Sequence, residues 1–176
     1  MKKIFLHTFV ILALLFSVIK ISAQTQAKPF QTIMDGNTKI LKGLLNRDDI
    51  EKDTTFNWFK QNYNLGMANM PAITAFQRNA PKFQVVVFAG TWCEDTQNLL
   101  PVFYRLVDKS NYPDSNITLI GVDRKKATLN NLSSAFQIKE VPTFIIMKDG
   151  KEVGRVVEYG KYGQIDKELG EIVDSL

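Results

Sequence analysis

The stretch Phe88-Ala89-Gly90-Thr91-Trp92-Cys93-Glu94-Asp95-Thr96 decides how this chain is read. The apolar run Val85-Val86-Val87-Phe88 leads into it, and Leu99, Leu100, Phe103 and Leu106 follow at helical spacing. Cys93, the single cysteine, therefore stands where a strand ends and a helix begins. A helix start offers unpaired N–H groups and the positive end of the helix dipole, both of which favour a thiolate. Thr96 holds the place where a C-x-x-C site keeps its second cysteine, so any sulfur chemistry must be done with one thiol. The competing reading of a lone cysteine is a buried residue acting as a small hydrophobe. Its place after a strand, between Trp92 and two acids, argues for the reactive reading.

Working outward, residues 83–89 form a near-continuous apolar run, as expected of a strand buried on both faces. A helix is predicted over 93–109, bent by Pro101. A second strand is read at 117–122 and a helix at 129–136. A hairpin follows, with strands 143–147 and 152–157 about an Asp149-Gly150 turn, and a helix over 163–173 closes the chain. This order predicts a parallel strand pair extended by an antiparallel hairpin, with helices on both faces. Upstream, Ile33, Ile40, Leu41, Leu44 and Leu45 fall at roughly helical spacing, so a helix is predicted over 32–45. Thr55 is read as the cap of a second helix carrying Phe56, Trp58, Phe59 and Tyr63, and Pro71 as opening a third. The aromatic residues of this stretch read as core packing rather than as a binding box.

Residues 1–23 have the layout of a secretory signal: a basic start, an apolar stretch over 4–19, and the small pair Ser22-Ala23 before a polar segment. Cleavage after Ala23 and a periplasmic or secreted location are expected. An uncleaved membrane anchor is the alternative, and the only route to a membrane. The whole chain carries 22 basic and 18 acidic residues, but Lys2, Lys3 and Lys20 belong to the leader, leaving a nearly neutral mature protein. That balance gives no reason to expect nucleic acid as a partner. The lone histidine, His7, also lies in the leader. A mature chain with one cysteine and no histidine has no Cys–His pair, no imidazole base and no zinc set, so no metal and no cofactor are expected. The division read from the sequence is a signal over 1–23, an N-terminal helical extension over 24–81 and an α/β domain over 82–176.

Residues 82–176 resemble the thioredoxin superfamily. The resemblance rests on an ordered set: Trp92-Cys93 at the strand-to-helix junction, Pro101 eight residues on, Val141-Pro142-Thr143, and the terminal hairpin with its Lys148-Asp149-Gly150 turn. The Gly-Thr-Trp-Cys-x-Asp-Thr form, with the added N-terminal segment, is similar to a thioredoxin-like group of exported bacterial proteins. The resemblance implies a thioredoxin-like α/β fold, a central mixed sheet with helices on both faces. It further implies that Cys93 is the nucleophile, and that Val141, Pro142 and Thr143, with a cis Val141–Pro142 bond, face it across a client groove; Trp92 is read as packing over the site and shaping that groove, with pure core packing as the alternative. Its implied partners are protein or small-molecule thiols and disulfides.

Three residues depart from the dithiol pattern of that superfamily. Thr96 replaces the resolving cysteine, Val87 stands where dithiol members bury an acid, and Leu119 where they place a lysine. A site without a second thiol has no use for an ionisable group in the core, and burying one is costly. One thiol still permits attack on a disulfide, isomerisation or long-lived trapping of a partner; it does not permit efficient two-electron reduction unaided. Thr96 is expected either to donate to the sulfur or to satisfy local backbone. Glu94 and Asp95 complement the helix dipole, yet place negative charge beside the sulfur, where it disfavours anionic thiols such as glutathione and favours basic clients. Two outcomes stay open: a monothiol exchange protein, and a thioredoxin-shaped binding or chaperone-like module without redox turnover. A Cys93–Cys93 dimer is a further possibility.

Overall fold

The computed structural model describes residues 29–176; the leader expected over 1–23 lies outside them. The strands, in chain order, are β1 (Phe30–Asp35), β2 (Thr38–Leu45), β3 (Gln84–Ala89), β4 (Ile117–Gly121), β5 (Thr143–Lys148) and β6 (Lys151–Val157). Among the described residues they form one sheet in the order β1-β2-β4-β3-β5-β6. Strands β3 and β4 are parallel, with Val87 opposite Leu119, and β5 and β6 extend the sheet antiparallel from β3. The helices are α1 (Asp48–Glu51), α2 (Trp58–Tyr63), α3 (Met70–Asn79), α4 (Glu94–Ser110), α5 (Leu132–Ala135) and α6 (Ile165–Asp174).

Alternation along β3 divides the apolar residues between two layers. Val85, Val87 and Ala89 enter the larger core with Phe59, Phe76, Leu100, Phe103 and Leu169, contributed by α2, α3, α4 and α6. Phe88 joins Ile120, Val122, Val141 and Ile145 on the other face, covered by Trp92, Leu132 and Phe136. Val87 and Leu119 are almost fully buried, so the positions that could have held an ionisable pair are part of the dry core. Residues upstream and downstream of 82 share that core. Gly170 of α6 lies so close to Ala72 of α3 that a side chain there would collide with it. Arg105, on α4, turns into the core and caps the carbonyls of Tyr63 (2.7 Å) and Leu65 at the end of α2.

The helix predicted over 32–45 is instead the hairpin β1–β2, so the segment 24–81 is not purely helical. Gly36 and Asn37 form a two-residue loop between the paired residues Asp35 and Thr38, and Gly36 sits at φ +57°, the conformation that such a loop demands at its first position. Ile40 and Leu41 are both buried, which adjacent residues of a strand achieve when both faces are covered. Two smaller differences follow the same local rules. Asp53, rather than Thr55, caps the turn before α2 by accepting from the Thr55 amide at 2.9 Å. The helix read over 129–136 shrinks to a 3-10 turn and the single turn α5, because Asn130 and Asn131 adopt left-handed backbone at φ +60° and +56°. Among the described residues, no helix is long and apolar enough to cross a membrane.

Candidate functional site

Strand β3 ends at Ala89, and the four residues Gly90 to Cys93 turn the chain into α4. Cys93 is the N-cap residue, with extended backbone (φ −89°, ψ 126°), and its carbonyl accepts the first helical bond from Gln97 at 3.0 Å. Its amide donates to the Gly90 carbonyl at 2.9 Å, which tightens the turn. The thiol is free and half-buried, and donates to the carbonyl oxygen of Val141 at 3.2 Å. Cys93 makes no side-chain cap hydrogen bond to the first turn of α4.

Val141 and Pro142 form a cis peptide bond, and both are buried. The Pro142 carbonyl accepts from the Glu158 amide at 2.8 Å, and the Thr143 hydroxyl donates to the Glu140 carbonyl at 2.7 Å. The sharp chain reversal is thus held from β6 and from its own upstream residue, leaving the Val141 carbonyl to the sulfur. The structure therefore brings together Cys93, Val141, Pro142 and Thr143 from segments almost fifty residues apart.

Thr96 is fully buried and its hydroxyl accepts from the Gly90 amide at 3.2 Å. Of its two expected roles, the hydrogen bond in the structure is the local-backbone one. Trp92 is partly buried; its indole Nε1 donates to the Val122 carbonyl at 3.0 Å, and its ring covers Gly90 so closely that a Cβ there would lie 2.8 Å from it. The Gly90 position has to be free of a side chain for this reason. Glu94 and Asp95 occupy the first turn of α4.

Several groups around the site had no assigned role in the sequence reading. The Thr91 hydroxyl is buried between strand β2 and the turn, donating to the Lys39 carbonyl at 3.0 Å and accepting from the Leu41 amide at 3.2 Å. Gln97 Nε2 donates to the Thr91 carbonyl at 3.1 Å. Arg124 lies over the Trp92 ring, 5.4 Å from its centre, and pairs with Asp35 at the tip of the first hairpin. Glu158, next to the cis-proline turn, has its carboxyl held above the usual range by partial burial and by the charges of Glu140 and Asp95. Lys126 opposes this shift and pairs with Glu140 at 2.6 Å. The Thr91 signal was present in Gly-Thr-Trp-Cys, but its partner strand could not be named while 32–45 was read as a helix.

A family profile described as Thioredoxin matches residues 67–171. Thioredoxin H9 of Arabidopsis thaliana is 32% identical over 95 residues, which span 54% of this chain and 63% of that protein. A thioredoxin of Ictalurus punctatus is 35% identical over 86 residues, spanning 48% of this chain and 77% of that one. The solved structure of thioredoxin NaTrxh from Nicotiana alata aligns with 65% of this chain and 78% of its own, at 27% identity and a TM-score of 0.40. The chain thus spans just under two thirds of the length of Thioredoxin H9. With a strand-to-helix cysteine facing a cis-proline turn, and a family profile covering more than half its length, the chain belongs to the thioredoxin family.

Proposed function

We propose that this protein is an exported, single-thiol member of the family that takes part in thiol–disulfide exchange through Cys93. The observation that carries this reading is the half-buried free thiol at the start of α4, 3.2 Å from the Val141 carbonyl, with Thr96 buried where a resolving cysteine would stand. In the first step Cys93 gives its proton to solvent and its thiolate attacks one sulfur of a client disulfide. The Cys93–client S–S bond forms, the client S–S bond breaks, and the departing client sulfur leaves as thiolate. No net oxidation or reduction has occurred. Release then requires a second thiol. If a different cysteine thiolate of the client attacks the client sulfur of the mixed disulfide, a new client disulfide forms, the client is isomerised and Cys93 leaves as thiolate. If a small thiol attacks the client sulfur, Cys93 is regenerated and the client carries the small thiol as a mixed disulfide.

Trp92 and the Val141-Pro142-Thr143 turn form the docking walls in this reading, and the acids Glu94 and Asp95 in the first turn of α4 favour a basic client segment over anionic glutathione. The apolar leader supports export to a periplasmic or extracellular compartment, where client disulfides occur. Incubation of the mature protein with a basic, disulfide-bonded peptide tests the proposal by non-reducing electrophoresis and mass spectrometry. A persistent one-to-one adduct is expected, absent in Cys93→Ser. Thr96→Cys supplies a resolving thiol and shortens the adduct's lifetime by at least tenfold, whether or not the new pair turns over. Absence of any adduct from the unmodified protein would favour the redox-inactive binding module, to which the all-apolar Val87–Leu119 pair is also suited. A Cys93-linked dimer as the sole product would identify self-pairing as the chemistry instead.

A further inference from the structure

Strand β2 has two edges with different partners. One pairs with β1 from Thr38 to Gly43, and the other meets β4 only at Gly43, Leu44 and Leu45, opposite Gly121, Ile120 and Leu119. Strand β4 stops at Gly121, so the backbone of Lys39 and Leu41 runs on past the end of its neighbour. Ile40 and Leu41 are each only 2% exposed, and a buried backbone carbonyl or amide has to find a partner. Both find it in one side chain: the Thr91 hydroxyl donates to the Lys39 carbonyl and accepts from the Leu41 amide. Lys39 and Leu41 have the same parity in the strand, so these two groups face the same way and one hydroxyl can meet both. Thr91 takes the place of the missing strand.

The residue that fills this gap also belongs to the turn that presents Cys93. Its carbonyl is held by Gln97 of α4, its neighbour Gly90 accepts from the Cys93 amide, and its other neighbour, Trp92, is pinned to the Val122 carbonyl. A second link runs outside the first, from Asp35 at the hairpin tip through Arg124 to the face of the Trp92 ring. A third anchors the segment after β4, where Lys42 of β2 pairs with Asp123 at 2.7 Å.

We propose that the β1–β2 hairpin is a clamp on the reactive turn and that Thr91 is the positioning residue through which it sets Trp92 and Cys93 for client attack. This rests on the exchange reading above. Thr91 itself touches neither sulfur nor client; it fixes one wall of the turn while α4 fixes the other. Loss of its hydroxyl leaves the Lys39 carbonyl and Leu41 amide without their partner, and the turn loosens on the hairpin side. A small misplacement of an attacking group is enough to slow a bimolecular exchange by an order of magnitude or more.

The test uses the mature protein in a Trp58→Phe background, where Trp92 is the sole tryptophan. Two quantities are read: the rate of adduct formation with the basic disulfide peptide, and the emission maximum of Trp92. Thr91→Val keeps the shape and removes the hydroxyl; it is expected to slow the adduct by ~10-fold and to shift Trp92 emission to the red. Thr91→Ser restores the hydroxyl and is expected within about twofold of the parent rate, with emission unchanged. Asp35→Asn, at the exposed tip, should slow the adduct by about twofold and shift Trp92 emission to the red. A folded Thr91→Val protein with parental rate and emission overturns the clamp. If Thr91→Val does not fold, Asp35→Asn and Arg124→Gln decide, and parental values in both overturn it. If the parent forms no adduct, the exchange reading fails, while unchanged or shifted Trp92 emission still decides the clamp.

Discussion

The sheet ends in a hairpin at each edge, and the two are built differently. The β5–β6 hairpin rests on the core: Thr143, Phe144, Ile145 and Ile146 are all buried, and β5 pairs directly with the central strand β3. Its turn, Asp149-Gly150, has both residues at positive φ, +50° and +73°. The β1–β2 hairpin has an outer strand that is exposed at most positions, and its inner strand meets β4 over three residues only. Polar bonds supply what the short ladder does not: Thr91 to Lys39 and Leu41, Lys42 to Asp123, and Lys39 to Asp53. The difference teaches that the second hairpin stabilises the fold by burial, while the first is fastened by specific polar contacts, of which those of Thr91 reach the reactive turn.

The largest expected effect separates the two by burial. Phe144→Ala in β5 should cost ~3–5 kcal/mol in urea unfolding, and Leu41→Ala in β2 ~2–4 kcal/mol. If Leu41→Ala proved the costlier, the assignment of core duty to the β5–β6 hairpin would be wrong. Next in size, the turns can be compared at equal chemistry. Gly36 and Gly150 both have positive φ and open space where a Cβ would stand, so alanine at either should cost about 1–2 kcal/mol from backbone alone. A clear inequality in thermal unfolding would show that one turn bears a contact the other lacks. Only Gly36→Ala should also slow Cys93 adduct formation, because the Gly36 turn adjoins Asp35, which is linked through Arg124 to Trp92, whereas the Gly150 turn lies at the end of β5 away from Thr143.

The smallest effect is acid sensitivity. Burial pushes the Asp123 carboxyl up, but hydrogen bonds from Lys42 and from the amides of Ala127 and Lys125 outweigh it and hold the group below the usual carboxylate range. The Asp53 carboxyl is likewise held low, chiefly by its bond from Lys39. At the other edge Arg155 does the same for Glu152. Each contributes stability that is full above its unfolded value and is lost as pH falls through its folded value, so unfolding should become easier below about pH 4. Asp123→Asn should flatten that acid limb by under ~1 kcal/mol and, unlike Glu152→Gln, should also remove a pH dependence of Trp92 emission in the same range.

The site was read in the sequence to the extent that its residues are contiguous. Cys93 at a helix start, the interruption at Thr96 and the Val141-Pro142 turn each carry a local signature, and the ordered set pointed to the family. The β5–β6 hairpin was legible for the same reason: an apolar run, an Asp-Gly turn and a second run. The first hairpin carried a comparable signal in Gly36-Asn37, flanked by the β-branched Thr32, Ile33, Thr38 and Ile40. It was outweighed by the spacing of Ile33, Ile40, Leu41, Leu44 and Leu45, which suits a helix as well as a strand with both faces partly covered. Thr91 carries no such local signature, because its role is defined by strand atoms fifty residues away.

The sequence by itself determined the chemistry available: one thiol, no histidine beyond His7, no second cysteine, and a strand-to-helix junction to hold the sulfur. Those are properties of residue identity and short-range spacing. Tertiary structure alone decided which segment lies beside the reactive turn and how β2 completes its hydrogen bonds where β4 runs out. Each depends on where one strand ends against another. The alternation that sets a strand's faces is local, but the partner of its open edge is fixed only when the whole sheet has formed.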